Sequence, residues 1–406
     1  MAKGNHADLI DTNPIDEAIS ALAGLERPSA SVAEAQAARL IGERFEGAGA
    51  RTEYCTEPAY GNYWRPLSVL MLATLVAGRI GRRAGTILGL VAFAGAWNEL
   101  VSGRRVVRRL LLRRQSTTNV LGEYGPRDAG CVLIITAHHD AARTGAVFYP
   151  PLGRASSRFW RRFGSTPPIM WPVVMAPFLV TAGAISGNAR LRRMGRIYAV
   201  GTLAAMRDIA RRPVVAGAND NLSGVGALVG IAAQLCEHPP TSLRVVLLST
   251  GAEETGLEGM WAFGRRTFTE LDKSRTHLVC LDAVGSDNLV LARREGLLHT
   301  SSYSQPLMER ITHYARDLEI ELQKPVILRS ATDGYVALKA GISAALIGSV
   351  DESGAPANYH WPTDIPKNLN YASIRHVVRI CIELVRDLDA EAVTPTSEEN
   401  LYVHKP

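Results

Sequence analysis

The segment RVVLLSTGAEETG, residues 244–256, decides the fold because it joins an apolar run to two adjacent acids. The run from Val245 to Leu248 is β-branched and leucine-rich, which predicts a buried central strand. Glu253 and Glu254 follow where this strand ends. Burying two carboxylates without a counter-charge is costly, so the segment indicates either a solvated loop or a metal site.

A second apolar run, CVLIITA, is followed directly by His138, His139 and Asp140. It predicts another buried strand over residues 132–137. Residues two apart on a strand share a face, so His138 and Asp140 are expected to point the same way. In that arrangement the imidazole can bind a metal ion while the carboxylate orients its other ring nitrogen.

Single candidate ligands occur in three further segments. Asp220 lies in GANDNLSGVGAL, just before a helical stretch that opens near Ser223, and Asp282 ends the apolar strand run LVCLD. His360 lies in ANYHWPTD, among aromatic and turn-forming residues. In an open α/β sheet, ligands bind at the carboxyl ends of the strands. These side chains therefore indicate one shared metal site.

Strands and helices are predicted to alternate along most of the chain. The predicted strands are RTEYC, then NVLGEY and CVLIITA, which we expect to be neighbours, and four more near residues 243–250, 276–283, 286–292 and 343–348. The predicted helices are VAEAQAARLIGERFEGAGA and three near residues 222–236, 304–317 and 371–389. This alternation predicts an α/β fold with a mixed, mostly parallel central sheet flanked by helices.

The order and neighbours of the candidate ligands resemble the co-catalytic di-zinc exopeptidases, the family of bacterial leucyl aminopeptidases, glutamate carboxypeptidase and glutaminyl cyclase. Five motifs carry the resemblance in family order: H-x-D at His138 and Asp140, G-x-x-D-N-x-S-G at Asp220, the double Glu at Glu253 and Glu254, L-D-x-V-G at Asp282, and Y-H-x-x-x-D at His360. The resemblance implies a three-layer zinc-exopeptidase domain, residues 14–390, that is discontinuous and built from residues 14–60, 115–150 and 213–390.

The resemblance also implies two zinc ions per chain that share one bridging carboxylate, Asp220. Each ion would take one further imidazole and one further carboxylate: His138 with Asp282 for one ion, and His360 with Glu254 for the other. Glu253 would be the catalytic general base, and Asp140 would support His138 in catalysis. This mixture of oxygen and nitrogen ligands suits Zn²⁺ and also accepts other divalent metals such as Mn²⁺ or Co²⁺.

In function, the resemblance implies a metal-dependent exopeptidase for peptides or small amides, with an aminopeptidase as the leading hypothesis. The intact D-N-x-S-G motif at Asp220 is closer to the hydrolases than to the cyclases. A carboxypeptidase is an alternative that needs a cation for the substrate carboxylate, and Arg329 is a candidate. A glutaminyl cyclase-like acyltransferase, normally with one zinc, and a non-catalytic membrane receptor or scaffold are further alternatives.

Residues 61–114 and 150–212 do not follow the peptidase pattern, and we predict two hydrophobic helical insertions there. Between residues 61 and 213 the chain has 23 Arg, no Lys and 5 acids, a balance of +18. The remaining chain has 22 basic and 34 acidic residues, a balance of −12. The net charge of +6 is therefore the sum of one strongly basic region and one acidic region. Residues 391–406 are polar and predict a flexible tail.

Arginines that border apolar runs favour an anionic membrane as partner rather than nucleic acid. A membrane span needs about 20 apolar residues, and only the uncharged run over residues 164–189 is clearly long enough. The excess of arginine at the bases of the expected hairpins places the peptidase domain on the cytoplasmic side of the cell membrane. The alternative is a soluble cytoplasmic enzyme whose insertions form a lid or a dimerisation cap, and the oligomeric state stays open.

Two other features of the sequence agree with a cytoplasmic location. The N-terminal segment MAKGNHADLIDTNPIDEAI lacks the basic region and apolar core of a secretory signal peptide. The five cysteines are odd in number and lack the spacing of a metal site, as expected in a reducing compartment.

Overall fold

The computed structural model describes residues 13–393, except for 102, 153–158, 160, 161 and 353. Within these residues, one nine-stranded sheet forms the centre of the molecule. Its strands are β1 Arg51–Ala59, β2 Gln115–Tyr124, β3 Cys131–His138, β4 Leu243–Thr250, β5 Thr276–Asp282, β6 Asn288–Glu295, β7 Ser301–Ser302, β8 Leu322–Leu328 and β9 Ser343–Val350.

The strand order is β1-β2-β4-β3-β5-β9-β6-β7, and β8 pairs with β6. The inner strands β4, β3, β5 and β9 are parallel, whereas β2 and β6 pair antiparallel with the inner strands beside them. All eight residues of β3 are buried, because helices cover both faces of the sheet. The mixed sheet between helices confirms the predicted α/β class.

One predicted pairing is wrong, since β4 lies between β2 and β3 and these two strands are not neighbours. The connection from β2 to β3 passes the start of β4, where Gly125 has a φ of +76°. A Cβ at Gly125 would lie 2.1 Å from the carbonyl oxygen of Leu243, so this crossing requires glycine. The apolar pattern of each strand reports its burial but carries no information about its partner.

The helices whose two ends lie inside the described ranges are α1 Asn13–Ala23, α2 Val32–Gly47, α3 Trp64–Ala77, α4 Arg82–Leu100, α5 Val106–Leu111, α6 Trp171–Ser186, α7 Ala189–Ile209, α8 Ser223–Glu237, α9 Glu258–Thr267, α10 Gln305–Asp317, α11 Asp333–Ala340 and α12 Tyr371–Val393. Helix α12 includes the first three residues of the predicted tail. The rest of that tail, from residue 394, lies outside the described residues.

Helices cover the sheet from both sides. On β2, Gly122 packs against Phe45 of α2, whereas Leu121 and Phe263 of α9 border one small cavity. Because successive strand residues point to opposite faces, α2 and α9 belong to different layers. Helices α1, α8 and α12 pack on the α2 side, and α11 packs beside α9. The sheet is therefore the middle one of three layers.

Helices α3 to α7 come from the two arginine-rich segments and pack on one another. They share a small apolar core of Leu67, Leu70, Met71, Ala96, Val173, Ala176, Ala199, Met206 and Ile209. Glycines permit the closest approaches: a Cβ at Gly89 would lie 2.4 Å from Oγ1 of Thr181, and one at Gly195 would lie 2.6 Å from the carbonyl oxygen of Ala176. The two segments thus form one helical body.

The prediction of membrane-spanning helices finds no support. Helix α6 contains most of the long uncharged run, but it has only 16 residues and carries Pro177 inside it. A bilayer span needs about 20 apolar residues. Across the described ranges of the chain, no helix combines the length and the apolarity that a span requires.

Candidate metal centre

The parallel strands β3, β4 and β5 end at the same edge of the sheet. His138 is the last residue of β3 and is in register with Thr250, the last residue of β4. Asp282 is the last residue of β5, and the loop after β4 carries Glu253 and Glu254. This common edge brings residues far apart in sequence to one place.

Two sets of candidate ligands meet at this edge, and Asp220 belongs to both. The first set is His138, Asp220 and Asp282, and the second is Asp220, Glu254 and His360. In each set one ligand atom from every residue lies within 4.8 Å of the others. The structure therefore brings together all five residues that the sequence analysis proposed as metal ligands.

Asp220 lies between the two histidines, with a different oxygen facing each. Its Oδ1 is 3.1 Å from Nε2 of His138, and its Oδ2 is 3.1 Å from Nε2 of His360. The same nitrogen of His360 is 3.2 Å from Oε2 of Glu254. A carboxylate that presents one oxygen to each side has the geometry of a bridge between two cations.

The chain around Asp220 is fixed by two other side chains. Asp364 accepts hydrogen bonds from the backbone N–H of Asn219 at 2.6 Å and of Asp220 at 3.2 Å. Asn221 donates through Nδ2 to the carbonyl of Leu281, and its Oδ1 accepts from the N–H of Ala283. These contacts tie the Asp220 segment to the end of β5, next to Asp282.

Asp140 connects His138 to the loop that follows β4. Its Oδ1 lies 3.3 Å from Nδ1 of His138 and accepts the N–H of Glu253 at 3.0 Å. Its Oδ2 accepts the N–H of Glu254 at 3.1 Å and the hydroxyl of Ser29 at 2.6 Å. Asp140 thus orients an imidazole of one set and the backbone that carries the two glutamates.

Glu253 belongs to neither set of ligands. Its Oε2 lies 3.9 Å from Nε2 of His138, and the side chain lines the cavity beside the two sets. Burial raises the pKa of Glu253 well above its ordinary value, and the nearby charge of Glu254 acts in the same direction, although His138 opposes it. Glu253 is therefore a buried carboxyl group that lies beside the two ligand sets without belonging to either.

His139 does not take part in the centre. It is fully buried, and its Nδ1 lies 2.9 Å from Oγ of Ser249. Burial lowers the pKa of His139 to about 3, so the ring stays neutral. The alternation of extended-chain residues explains this difference, because His138 ends β3 and His139, the next residue, points to the other side of the sheet.

The donor set fits zinc. Burial, together with the charge of Asp220, raises the pKa of Asp282 to about 8. Burial lowers the pKa of His360, but the carboxylates of Glu254 and Asp220 outweigh it and raise that pKa to about 10. Oε1 of Glu254 is buried without a hydrogen-bond partner. A divalent cation between these groups supplies the charge and the contacts that they lack.

Several supporting residues were missed by the sequence analysis. Asp364 is the final residue of the Y-H-x-x-x-D motif, so the motif held a signal that was not used. Ser29 supports Asp140, and Glu34 accepts the N–H of Ala252 through Oε1 at 2.6 Å. Arg27 donates to the carbonyl of His139 at 2.8 Å. These last three precede the motifs by about a hundred residues and have no local pattern that marks them.

Comparison with known proteins agrees with this geometry. Residues 200–385 match the model of peptidase family M28. This range contains Asp220, Glu253, Glu254, Asp282 and His360, and the match confirms the resemblance found in the sequence. No curated protein matches the chain.

Solved structures share the fold at low sequence identity. A Zn-dependent exopeptidase from Parabacteroides distasonis has a TM-score of 0.54 and 13% identity, with 93% of this chain and 98% of that one covered. The aminopeptidase from Aneurinibacillus sp. strain AM-1 has a TM-score of 0.55 and 14% identity, with 94% of each chain covered. Glutaminyl cyclase from Bacteroides thetaiotaomicron has a TM-score of 0.55 and 13% identity, with 93% of this chain and 97% of that one covered.

Proposed function

We propose that this zinc metallopeptidase, whose residues 200–385 match the model of peptidase family M28, is an aminopeptidase that holds two zinc ions. The observation that carries the proposal is the position of Asp220, which belongs to both ligand sets and presents one oxygen to each histidine. His138 and Asp282 would complete one zinc site, and Glu254 and His360 the other. Bound zinc polarises the scissile carbonyl and makes water a stronger nucleophile at neutral pH.

Glu253 would be the general base. It lies outside both ligand sets but borders the same cavity. Its Oε2 lies 3.9 Å from Nε2 of His138 and would accept a proton from the attacking water. The same oxygen would then return the proton to the departing amine nitrogen as the C–N bond breaks. A positioned acid or base of this kind contributes about 10²–10⁴-fold to the rate.

Asp140 would keep this machinery aligned without touching the substrate. It faces Nδ1 of His138 and accepts the N–H groups of Glu253 and Glu254. A change at Asp140 would therefore displace a ligand and the base together. This dual contact supports its assignment as a positioning residue.

The aminopeptidase assignment is supported by the intact D-N-x-S-G motif at Asp220, which is closer to the hydrolases than to the cyclases. The fold is also that of two solved aminopeptidases, from Aneurinibacillus and from Bacillus subtilis. A carboxypeptidase is the second candidate, because Arg329 lines the cavity and offers a cation for a substrate carboxylate. A cyclase-like enzyme with a single zinc would need only one of the two ligand sets.

Two variants test the proposal. Glu253→Gln should keep its zinc and lose hydrolysis of leucine p-nitroanilide, because the amide cannot accept the proton. Asp220→Ala should lose zinc as well as activity, because it removes the shared ligand. Blocked peptides separate an aminopeptidase from a carboxypeptidase. An aminopeptidase should cleave a peptide that has a free amine and an amidated C-terminus. A carboxypeptidase should cleave a peptide that has a blocked amine and a free C-terminal acid. Near-normal turnover by Glu253→Gln would show that the base is wrongly assigned.

We further propose that residues 61–114 and 150–212 act as two helical insertions in a discontinuous peptidase domain, and that they bind an anionic membrane surface. Twelve large apolar side chains outside the cavity are exposed on four of their helices: Val69, Leu72, Val76, Ile87, Leu90, Val91, Trp97, Trp171, Phe178, Ile185, Met194 and Val200. Arginine supplies the only basic charge of this region, and each basic residue near an anionic surface contributes about 1 kcal/mol.

Sedimentation with liposomes tests the membrane proposal. The protein should bind vesicles that contain anionic lipid more strongly than neutral vesicles, and added salt should weaken the binding. The double variant Leu90→Gln and Val91→Gln should weaken it further. Equal binding to both kinds of vesicle would contradict the preference for an anionic surface, and no binding to either would favour a soluble lid.

A further inference from the structure

One face of helix α7 borders the cavity that contains the metal centre. The lining positions follow a helical spacing and carry no charge; they are Ile197, Tyr198, Gly201, Thr202, Ala205, Met206 and Ile209. The arginines of α7 occupy other positions on the helix. A continuous uncharged face at this spacing is a surface that can lie along an extended apolar group.

The opposite wall comes from the sheet and is also apolar. It includes Val290, Ala292, Val326 and Leu328, from strands β6 and β8. Leu67 of α3 and Val173 of α6 add apolar side chains from the helical body. The cavity therefore lies between the helical body and the sheet, and the metal centre forms one part of its surface.

The cavity is larger than a typical pocket for a small ligand. Its volume is about 1800 Å³, whereas pockets for drug-sized ligands measure about 300–1,000 Å³. Two apolar side chains at its border are largely exposed: Ile169 is 62% exposed and Ile197 is 59% exposed. Apolar surface of this kind gains free energy when a ligand removes it from water.

We propose that this cavity binds a long apolar group of the substrate, so that the preferred substrates are peptides or amides that carry an unbranched alkyl chain or a comparable apolar extension. The inference rests on the proposed function for the cleavage step, in which water adds to the amide and releases a carboxylic acid and an amine. The cavity determines which amides bind, and the metal centre determines which bond breaks.

Two substrate series test the proposal. Leucyl-n-butylamide, -hexylamide and -octylamide place the alkyl group on the amine side, and 2-aminoalkanoyl p-nitroanilides of rising length place it on the acyl side. In at least one series, kcat/KM should rise by up to about fourfold per methylene, which corresponds to about 0.8 kcal/mol. Values that stay flat or fall with length in both series would overturn the proposal.

Gly201 offers a variant that fills the cavity without disturbing the packing of α7. A Cβ built at Gly201 meets no heavy atom within 4 Å, and replacing a helical glycine favours the helix. Gly201→Phe should lower kcat/KM for the long substrates towards the short-chain value, and its effect on the short substrates should be smaller. Ala204→Phe is the matched control, because Ala204 is exposed on α7 and does not line the cavity; it should leave both unchanged. An equal effect of Gly201→Phe on short and long substrates would contradict the proposal.

A binding measurement separates this proposal from the cleavage chemistry. Calorimetric titration of the zinc-loaded Glu253→Gln variant with butylamine and octylamine requires no turnover. Octylamine should bind more tightly, by up to about fourfold for each additional methylene, and Gly201→Phe in the same background should abolish the difference. If no amide is cleaved but octylamine shows this preference, the proposed function fails while the apolar site stands. Equal affinity for the two amines would overturn the apolar site.

Discussion

Replacing Arg108 by Met should destabilise the protein through a buried ion network. Arg108, in helix α5, is only 3% exposed. Its Nε lies 3.2 Å from Oε2 of Glu99, and its Nη1 lies 2.8 Å from Oε1 of Glu258. It also donates to the carbonyl of Thr255, next to Glu254. Arg108 therefore ties the helical body to the loop of the metal centre.

The expected loss of stability follows from the two buried carboxylates that Arg108→Met leaves without their cation. Met fills much of the volume, but two buried carboxylates lose their shared cation. Removing one partner of a buried ion pair costs about 3–5 kcal/mol. Arg105 lies 3.8 Å from Glu258 and can compensate part of its charge, so we expect the lower end, about 3 kcal/mol. That is a large fraction of a total stability of about 5–15 kcal/mol.

Urea unfolding at pH 7 followed by circular dichroism measures this effect. Arg109→Met is the matched control, because Arg109 is the next residue of α5 and is exposed; it should change the free energy of unfolding by less than about 0.5 kcal/mol. Arg108→Met should also lower kcat/KM, since the loop after β4 loses an anchor. If the two variants have the same stability, the network contributes nothing and the reasoning is wrong.

Three further predictions follow from the hydrogen bonds and pKa values of buried groups. Asp140→Asn should lower kcat/KM by about 10–100-fold. The two oxygens of Asp140 accept the N–H groups of Glu253 and Glu254, whereas an amide has only one oxygen that can accept. Steady-state kinetics at saturating zinc checks this prediction. Zinc affinity should rise from pH 6 to pH 8. The pKa values of about 10 for His360 and about 8 for Asp282 mean that zinc must displace protons from these ligands, and this becomes easier as pH rises. Chelator competition measures the affinity. Burial raises the pKa of Glu295 from 4.5 to about 7. The folded state therefore keeps a proton that the unfolded state loses, and the free energy of unfolding falls as pH rises between these values. Urea unfolding at pH 5 and pH 7.5 should show a smaller fall in this free energy for Glu295→Gln than for the parent protein.

The strand ends of the centre were predictable because buried parallel strands are continuous apolar runs. The runs before His138, before Glu253 and up to Asp282 all mark real strands, and the open edge of a parallel sheet then places their ends together. The motif resemblance added Asp220 and His360, whose loops have no periodic signal of their own.

Other parts of the fold depend on contacts that a linear pattern does not contain. The position of β4 between β2 and β3 depends on a crossing at Gly125. The support of Asp140 by Ser29 joins residues 111 apart. The arginine-rich segments predicted helices, but their association through the close contacts of Gly89 and Gly195 was not visible in composition or charge.

The most direct test of the central claim is an anomalous difference map, collected at the zinc edge from crystals of the zinc-loaded protein. Two peaks should lie on either side of the Asp220 carboxylate, about 3.5–4 Å apart. One peak should be bordered by His138 and Asp282, and the other by Glu254 and His360. A single peak, or zinc bound away from Asp220, would contradict the account.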